Sequence, residues 1–342
     1  MTSTEFQASS ARDSGDSGGR SLLSSNVLVH IGMHKTGSTW LQENLFGADD
    51  SGFWSPCDIA MPAKKRVKAY TRMLFMDNQD RLMADEDFDP TGLREQLGPH
   101  VVPVGRCAVF SAERLSGHPL SNGFDRSQIC NRIKRVFPNA CILIIIREQR
   151  SIILSSYMQC LKNGGGYTIQ YFIAGKRGEN RHALTSHFFK YDRLIRLYQS
   201  VFGSENVLTL PMEMIIVKPR DFAGRICQFS NIDTPDDLPF HIKSNERATY
   251  LPYVALRRIV PLIRSSQGNA YNPSILGRNL GRSVHLRTVN AISKVVPRSL
   301  DKWVKNRLQQ QVDELTKDTY VTSNRETEKL IGMDLGAFGY RV

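Results

Sequence analysis

The chain has 342 residues, of which 41% are hydrophobic and 23% are charged, which is the usage of a soluble globular protein. No apolar run approaches the roughly 20 residues that a membrane-spanning helix needs. Residues 1–20 have neither the basic region nor the apolar stretch of a secretory signal. These features exclude an integral membrane protein and predict a cytoplasmic location.

The net charge of +12 is concentrated late in the chain. Between Lys243 and Gln310 there are thirteen Lys or Arg residues and two acids, so 13 − 2 = +11 falls in this segment. Such a run is usually a solvated face, and the functional alternatives are an acidic acceptor, a membrane surface or nucleic acid. The six cysteines show no CxxC spacing, which predicts free thiols in a reducing compartment.

Three segments are predicted. Residues 1–24 are rich in Ser, Gly and Asp and are expected to be a disordered tail. Residues 25–240 are expected to form an α/β core, and residues 241–342 a basic, mostly helical extension packed on that core.

A strand, a glycine-bracketed turn and a helix start follow the tail. Residues 27–31 are an apolar, β-branched run suited to a central strand, Gly32 and Gly37 flank the turn, and residues 39–46 are predicted to be helical. The free N–H groups of a helix N-terminus favour an anion, and Lys35 adds a full charge. This segment predicts a site for phosphate or sulfate.

The order of residues in this loop differs from that of a Walker A loop. In GxxxxGK[ST] the Lys stands directly before the hydroxyl residue that binds Mg²⁺, whereas here Lys35 precedes Gly37. The alternative is an ordinary glycine turn that caps a helix. The apolar strand before the loop and the Trp40–Leu41 pair after it argue against that alternative.

A second predicted strand, Cys107–Phe110, ends shortly before Glu113. A carboxylate just past the carboxyl end of a parallel strand lies where open α/β sheets bind ligands. Glu113 is therefore a candidate for acid–base chemistry. The alternatives are an ion pair with Arg114 or an interaction with a helix N-terminus.

The most hydrophobic run, Cys141–Ile146, predicts a central parallel strand buried on both faces. It ends at Arg147, and a helix with Ser155 in its second turn is predicted over residues 149–161. A Walker B strand would end in Asp to bind Mg²⁺, whereas Arg suits a charge-assisted contact with phosphate and no metal.

The remaining elements are predicted from periodicity and breakers. They are helices over residues 92–97 (capped by Thr91), 129–137, 181–202 and 219–229, a strand over residues 206–210, and basic amphipathic helices over residues 250–264 and 284–308.

The pattern His34-Lys35-Thr36-Gly37-Ser38-Thr39-Trp40 resembles the 5′-phosphosulfate loop of sulfotransferases. These enzymes use 3′-phosphoadenosine 5′-phosphosulfate (PAPS) on a fold akin to that of P-loop kinases. Arg147 and Ser155 match the spacing of the family's 3′-phosphate motif. The resemblance covers roughly Asn26 to Ile232 and implies an α/β fold with a central parallel β-sheet flanked by helices.

The resemblance also implies roles. Lys35 would stabilise charge on the leaving bisphosphate, and Glu113 stands where cytosolic members carry a catalytic His, with His34 and His118 as reserve bases. The implied donor-binding residues, with no metal, are Lys35, Thr36, Gly37, Ser38, Thr39, Trp40, Arg147 and Ser155.

The chain departs from the family pattern at the adenine and at the C-terminal side of the 3′-phosphate. Met212 and Met214 replace an aromatic residue and an acid, and the Arg-Lys-Gly loop is absent, with Arg278 or Arg282 as substitutes. Glu-base relatives act on sugars, which favours a carbohydrate or glycolipid hydroxyl as acceptor.

Two other classes remain open. One is a nucleotide kinase or NTPase, and the other is a non-catalytic module whose basic segment binds a membrane or a polyanion. Nucleic acid is not an expected partner of the enzyme, whereas peripheral membrane contact through the basic segment is compatible with it.

Overall fold

The computed structural model describes residues 19–48, 51–56, 71, 74–76, 84–119, 122–174, 186–236, 238, 249–263 and 278–342. Its centre is a five-stranded parallel sheet of order β3-β5-β2-β6-β7, and a two-stranded antiparallel ribbon pairs β1 with β4. The strands are β1 Gly19–Ser21, β2 Val27–Gly32, β3 Phe53–Trp54, β4 Val101–Pro103, β5 Cys107–Ser111, β6 Cys141–Ile146 and β7 Val207–Pro211.

Helices surround this sheet in the described part of the chain. They are α1 Ser38–Trp40, α2 Pro90–Leu97, α3 Arg126–Val136, α4 Gln149–Lys162, α5 Ile169–Ala174, α6 Tyr191–Phe202, α7 Met214–Val217, α8 Pro219–Phe229, α9 Leu251–Leu256, α10 Val260–Ile263, α11 Arg278–Val295, α12 Arg298–Thr316 and α13 Val321–Ile331.

The central strands feed two hydrophobic cores, one on each face of the sheet. Along β6, Ile142, Ile144 and Ile146 pack into the core beneath α3, α4 and α6, while Leu143 and Ile145 pack into the core beneath α8. Side chains alternate across a strand, so a strand covered on both faces is apolar at every position. The predicted α/β fold with a parallel sheet flanked by helices is confirmed.

The N-terminal prediction is wrong for residues 19–24. Gly19–Ser21 forms β1 against β4, and Leu22 in the following 3-10 turn is fully buried in the main core. Burying one large apolar side chain fixes the chain here despite its polar composition. Residues 1–18 lie outside the described residues.

The predicted helix at residues 181–202 is shorter than expected. A 3-10 turn covers Ser186–Phe189 and α6 begins at Tyr191, while residues 181–185 lie outside the described residues. Phe188 and Phe189 are adjacent yet both are buried. Because successive residues of an α-helix point about 100° apart, the chain turns before α6 and places both rings in the core.

The two predicted basic helices are each divided, with a proline at the break in one and shortly after the break in the other. Pro297 separates α11 from α12, and Pro261 lies in the first turn of α10, which follows α9 after a turn. Proline lacks the N–H of a helical hydrogen bond and disfavours helical geometry in the residue before it.

The caps and the loop helix differ in detail as well. Asp89, not Thr91, caps α2, because its carboxylate accepts hydrogen bonds from the N–H groups of Thr91 and Gly92 at 3.0 Å. The helix predicted at residues 39–46 is α1 followed by a π-helical stretch, Leu41–Leu45. π-Helical turns are frequent at functional sites.

The C-terminal helices lie against the core. In α13, Ser323 donates a hydrogen bond to Asp192, and Glu326 pairs with Arg196 of α6 at 2.6 Å. Within the described residues, no helix combines the length and apolarity that crossing a membrane requires. All cysteines in the described residues are free, as predicted, while Cys57 lies outside them.

Candidate active site

Three neighbouring strands bring the predicted residues to one edge of the sheet. β2 lies between β5 and β6 and pairs with both in parallel. The chain first builds the β5 side and then crosses to the β6 side, so these carboxyl ends form a topological switch point. The Lys35 loop follows β2, Glu113 follows β5 and Arg147 follows β6.

The loop after β2 takes backbone conformations that favour glycine. Gly37 has φ = 79° and caps α1, and Lys35 has φ = 67°, which is uncommon for a residue with a side chain. The hydroxyl of Thr36 is fully buried and donates to the carbonyl of Met33 at 2.6 Å. The Thr36 side chain therefore stabilises the loop, and its backbone N–H remains the group available to a ligand.

Lys35 connects the loop to the neighbouring helix. Its Nζ donates to Oε1 of Gln159 in α4 at 2.7 Å, and its carbonyl accepts from Nη1 of Arg147 at 3.0 Å. Burial lowers the pKa of Lys35, and the charges of Lys162 and Arg147 lower it further, while Glu113 raises it. Three cations and one carboxylate therefore lie close enough to interact around this loop.

This group of cations is suited to an anionic ligand. Burial lowers the pKa of Lys35 most, and the neighbouring charges of Lys162 and Arg147 lower it further, so a second cation beside Lys35 is unfavourable without an anion. A phosphate or sulfate bound between them would remove that repulsion. The chemistry of these side chains therefore fits the 5′-phosphosulfate and the 3′-phosphate of PAPS.

Other predicted donor residues divide between the ligand side and the core. Ser155 is half-buried in α4 one turn before Gln159, and therefore on the face that reaches Lys35. Thr39 is exposed at the start of α1, whereas Ser38 is buried and donates weakly to Met33 at 3.4 Å. Trp40 packs in the core, so its side chain anchors α1, and its contact with the donor stays a prediction.

Glu113 lies directly beside the loop. It begins a 3-10 turn after β5, and a Cβ added at Gly32 would lie 2.8 Å from its Cα. Gly32, with φ = 99°, is required for this approach of the two strand ends. The alternative partner, Arg114, instead forms an ion pair with Asp125 at 2.6 Å.

A buried polar cluster fixes the strand that carries Glu113. The hydroxyl of Ser111, the last residue of β5, lies 2.7 Å from Nδ1 of His30 in β2 and accepts from Nε2 of Gln42 at 3.0 Å. All three residues are buried. Hydrogen bonds in such a dry environment hold β5 and β2 in one register below the site.

The two reserve histidines follow strands that end at this edge of the sheet, since His34 comes after β2 and His118 after β5. His118 is half-buried, and its backbone N–H donates to the carboxylate of Asp125 at 3.1 Å. Burial lowers the pKa of His118 and the charge of Arg114 lowers it further, whereas Asp125 raises it. His118 is therefore neutral at pH 7 and able to accept a proton, and half-buried His34 adjoins Lys35 in the loop.

Arg147 is positioned by side chains from distant parts of the chain. Its carbonyl accepts from the hydroxyl of Tyr191 at 2.5 Å, and the next N–H, of Glu148, donates to Glu213 at 3.0 Å. The other oxygen of Glu213 accepts from the hydroxyl of Tyr340 at 3.1 Å. Burial raises the pKa of Glu213, while these hydrogen bonds oppose that rise.

The start of α4 contacts the C-terminal region in three further places. Gln149 donates to Asn324 at 2.6 Å, and Asn324 donates to the carbonyl of Arg341 at 2.7 Å. Arg150 reaches Asp313 at 3.3 Å and the carbonyl of Gly339 at 2.9 Å. We call residues 313–341 the C-terminal brace, because they hold the segment that carries Arg147.

Sequence reasoning did not identify four of these residues. Gln159 and Lys162 follow Ser155 by four and seven positions in α4, so helical periodicity could have placed them beside the loop. Glu213 follows β7 at the same sheet edge, which is a second available signal. Tyr340 is separated from the site by most of the chain, and no pattern in the sequence points to it.

A protein-family model described as the sulfotransferase family matches residues 126–236. This segment contains Arg147 and Ser155, two of the residues on which the resemblance was based. The sulfotransferase resemblance is confirmed. The match also supports the prediction of an enzyme of the sulfotransferase type. The matched segment covers α3 to α8 with strands β6 and β7.

Solved sulfotransferase structures are among the structures to which the chain is similar. A sulfotransferase from Alicyclobacillus acidocaldarius is 17% identical with a TM-score of 0.45, covering 68% of this chain and 93% of its own. Mouse sulfotransferase SULT7A1, solved as a complex with adenosine 3′,5′-bisphosphate (PAP), is 12% identical with a TM-score of 0.36. The match covers 89% of this chain and 88% of the mouse chain. No curated protein matches the chain significantly.

Proposed function

We propose that this protein transfers the sulfuryl group of PAPS to an acceptor hydroxyl, and that the acceptor is a carbohydrate or a glycolipid. The observation that carries the proposal is the convergence of the Lys35 loop, Arg147 and Glu113 at the carboxyl edge of β2, β6 and β5. Donor-binding cations and a candidate base then lie on one edge of one sheet.

The donor-binding half of the site consists of cations and backbone donors. Arg147 offers a planar set of N–H donors suited to the 3′-phosphate, and Ser155 offers a hydroxyl. Lys35 and the N–H groups at the start of α1 would bind the 5′-phosphosulfate. Gln159 holds Lys35 Nζ in place at 2.7 Å, which favours a preorganised site.

The chemical half of the site depends on Glu113. Its carboxylate accepts the proton of the acceptor hydroxyl as that oxygen bonds to sulfur. The bond between sulfur and the bridging oxygen breaks at the same centre and releases adenosine 3′,5′-bisphosphate (PAP). Lys35 stabilises the negative charge that develops on the departing oxygen, and no metal is needed for this charge balance.

The acceptor class follows from the type of base. A Glu base, rather than the His of cytosolic family members, favours a sugar hydroxyl in this proposal. The direct experiment is a screen with ³⁵S-labelled PAPS against oligosaccharides, glycolipids, phenols, steroids and amines. Label transfer to sugars or glycolipids supports the acceptor class, whereas transfer to phenols alone contradicts it.

We expect PAP to raise the melting temperature far more than adenosine 5′-phosphate does. Arg147 and Ser155 would contact the 3′-phosphate, which only PAP carries. A ligand that binds the native state stabilises it by RT ln(1 + [L]/Kd), or about 2.7 kcal/mol at a hundredfold excess over Kd. Thermal unfolding with each nucleotide measures the difference, and equal shifts would contradict the 3′-phosphate assignment.

We also expect EDTA to leave the transfer rate unchanged. The strand that would supply a magnesium ligand in a kinase, β6, ends in Arg147 rather than in an acid. The assay is label transfer from PAPS before and after chelation, with ATP hydrolysis measured in parallel. Activity that disappears with EDTA and returns with Mg²⁺ would support the kinase-like alternative.

A further inference from the structure

Helices α9–α12 expose large apolar side chains to solvent. Val295 is 78% exposed and Trp303 is 54% exposed. Six further large apolar side chains between the start of α9 and the end of α12 are exposed, namely Ile259, Leu262, Leu280, Leu286, Leu300 and Leu315. Exposed apolar side chains that are concentrated in one segment mark an interaction site more often than scattered ones do.

Helix α11 has apolar residues on two different faces. One face packs inward through His285 and Val289, which are 1% and 2% exposed. On a helical wheel, a second set falls within an arc of about 60° whose centre lies about 130° from that of the first. Its members are Leu280, Val284, Ala291 and Val295, which are all exposed or half-buried.

Helix α12 adds an aromatic anchor to this surface. Leu300, Trp303 and Arg307 are spaced i, i+3, i+7, so they share one face of the helix. The guanidinium of Arg307 lies 5.4 Å from the Trp303 ring centre. A tryptophan beside a cation suits a boundary that is apolar on one side and charged on the other.

The charge around these side chains has one sign. Residues 249–263 and 278–310 contain ten Lys or Arg residues and one acid, Asp301, so their net charge is 10 − 1 = +9. Asp301 accepts from the N–H groups of Tyr250 and Leu251 at 2.7 and 2.8 Å, which joins α12 to α9. The exposed cations beside the apolar residues include Arg287 and Lys294.

We propose that α11 and α12 bind the surface of an anionic lipid bilayer. In this arrangement the apolar residues enter the boundary between headgroups and acyl chains, and the neighbouring cations contact anionic headgroups. We call this surface the lipid-binding face and define it as Leu280, Arg287, Lys294, Val295, Leu300 and Trp303. The proposal is independent of sulfuryl transfer, since it uses no residue of the candidate active site.

The composition of this face favours a lipid surface over two other occupants. A nucleic acid or another polyanion would need the cations but would leave the exposed Leu, Val and Trp side chains in water. A second copy of the chain would bring two surfaces of charge +9 together, and like charges oppose such an interface. Of these three occupants, the anionic bilayer is the one that offers partners for both kinds of side chain.

The test is flotation of the full chain with vesicles of phosphatidylcholine alone or mixed with phosphatidylglycerol. We expect flotation only with the anionic vesicles, a decrease with rising salt, and a blue shift of tryptophan emission that is lost in Trp303→Phe. One double variant, Val295→Ser with Trp303→Ser, removes apolar area. Another, Arg287→Glu with Lys294→Glu, reverses charge. Each should lower the vesicle partition coefficient by more than roughly tenfold.

The matched control is Lys218→Glu with Lys317→Glu, which makes the same charge change at exposed positions outside the face. Its vesicle binding should stay close to that of the parent chain. All variants should keep the parent melting temperature because the changed side chains are exposed. If the control loses as much vesicle binding as the charge-reversed variant, net charge alone explains the binding and the proposal is overturned.

Two further results would overturn it. If the apolar double variant binds vesicles normally while RNA displaces the protein from them, the face is a polyanion site. If sedimentation shows a dimer that the apolar double variant dissociates, the face is covered by a second copy.

Discussion

Replacing Lys35 by Ala should lower kcat/KM for sulfuryl transfer by roughly 10²–10³, because a preorganised charge at the departing oxygen is lost. Donor binding should weaken as well, since Lys35 meets negative charge before and during the reaction. Transfer of ³⁵S label and PAP-induced melting shifts measure the two effects separately. Lys305→Ala, at an exposed position of α12 outside the site and outside the C-terminal brace, should change neither.

The pH dependence gives a second readout of the same residue. Burial, Lys162 and Arg147 lower the pKa of Lys35 below 10.5, so the free enzyme loses this charge at a lower pH than an ordinary lysine would. The kcat/KM should therefore fall as pH rises through that lowered pKa. The residual activity of Lys35→Arg should lack this fall, since guanidinium stays charged. Normal kcat/KM in Lys35→Ala would contradict the assignment.

Replacing Glu113 by Gln should lower kcat by roughly 10²–10⁴ and leave PAP binding almost unchanged. Glutamine keeps the size of the side chain and a hydrogen-bonding oxygen but cannot take the acceptor proton. The measurement pairs transfer kinetics with the melting shift produced by PAP. Glu95→Gln, on an exposed position of α2, is the matched control and should be silent.

A near-normal kcat in Glu113→Gln would move the base elsewhere. His118 is then the first candidate, because its lowered pKa keeps it neutral. His118→Gln would in that case show the loss of kcat expected for Glu113. If both variants keep full activity, His34 is the remaining candidate.

Strong local patterns were sufficient to predict four of the five strands of the sheet, whereas β3 lies in a segment that was expected to be irregular. The apolar runs at β2, β5 and β6 are buried on both faces, and a strand in that environment has few alternatives. Helix lengths were less predictable where a buried contact or a proline outweighed periodicity. The turn that contains Phe188 and Phe189 delays the start of one predicted helix to Tyr191, and Pro297 divides another.

In the candidate site, too, residues next to a strand end could be predicted from the sequence, whereas contacts between distant elements could not. Lys35, Glu113 and Arg147 could be found because each follows a strand, and parallel strands share their carboxyl edge. Gln159 reaches Lys35 from another element, so only the fold reveals the 2.7 Å contact. Tyr340 donates to Glu213 across 127 positions of the chain, and Glu213 in turn accepts from the N–H of Glu148, a relation that has no local signature.

The C-terminal brace has a consequence for the order in which the site matures during synthesis. The loop, β6 and α4 emerge from the ribosome first, but the partners of Gln149, Arg150 and Glu213 are supplied by residues 313–341. A nascent chain that ends before this segment leaves polar groups at the start of α4 without those partners. We therefore expect the segment that follows Arg147 to be held less firmly until the brace has docked, so a chain that ends before residue 313 should bind PAP more weakly although every proposed donor-binding residue is present.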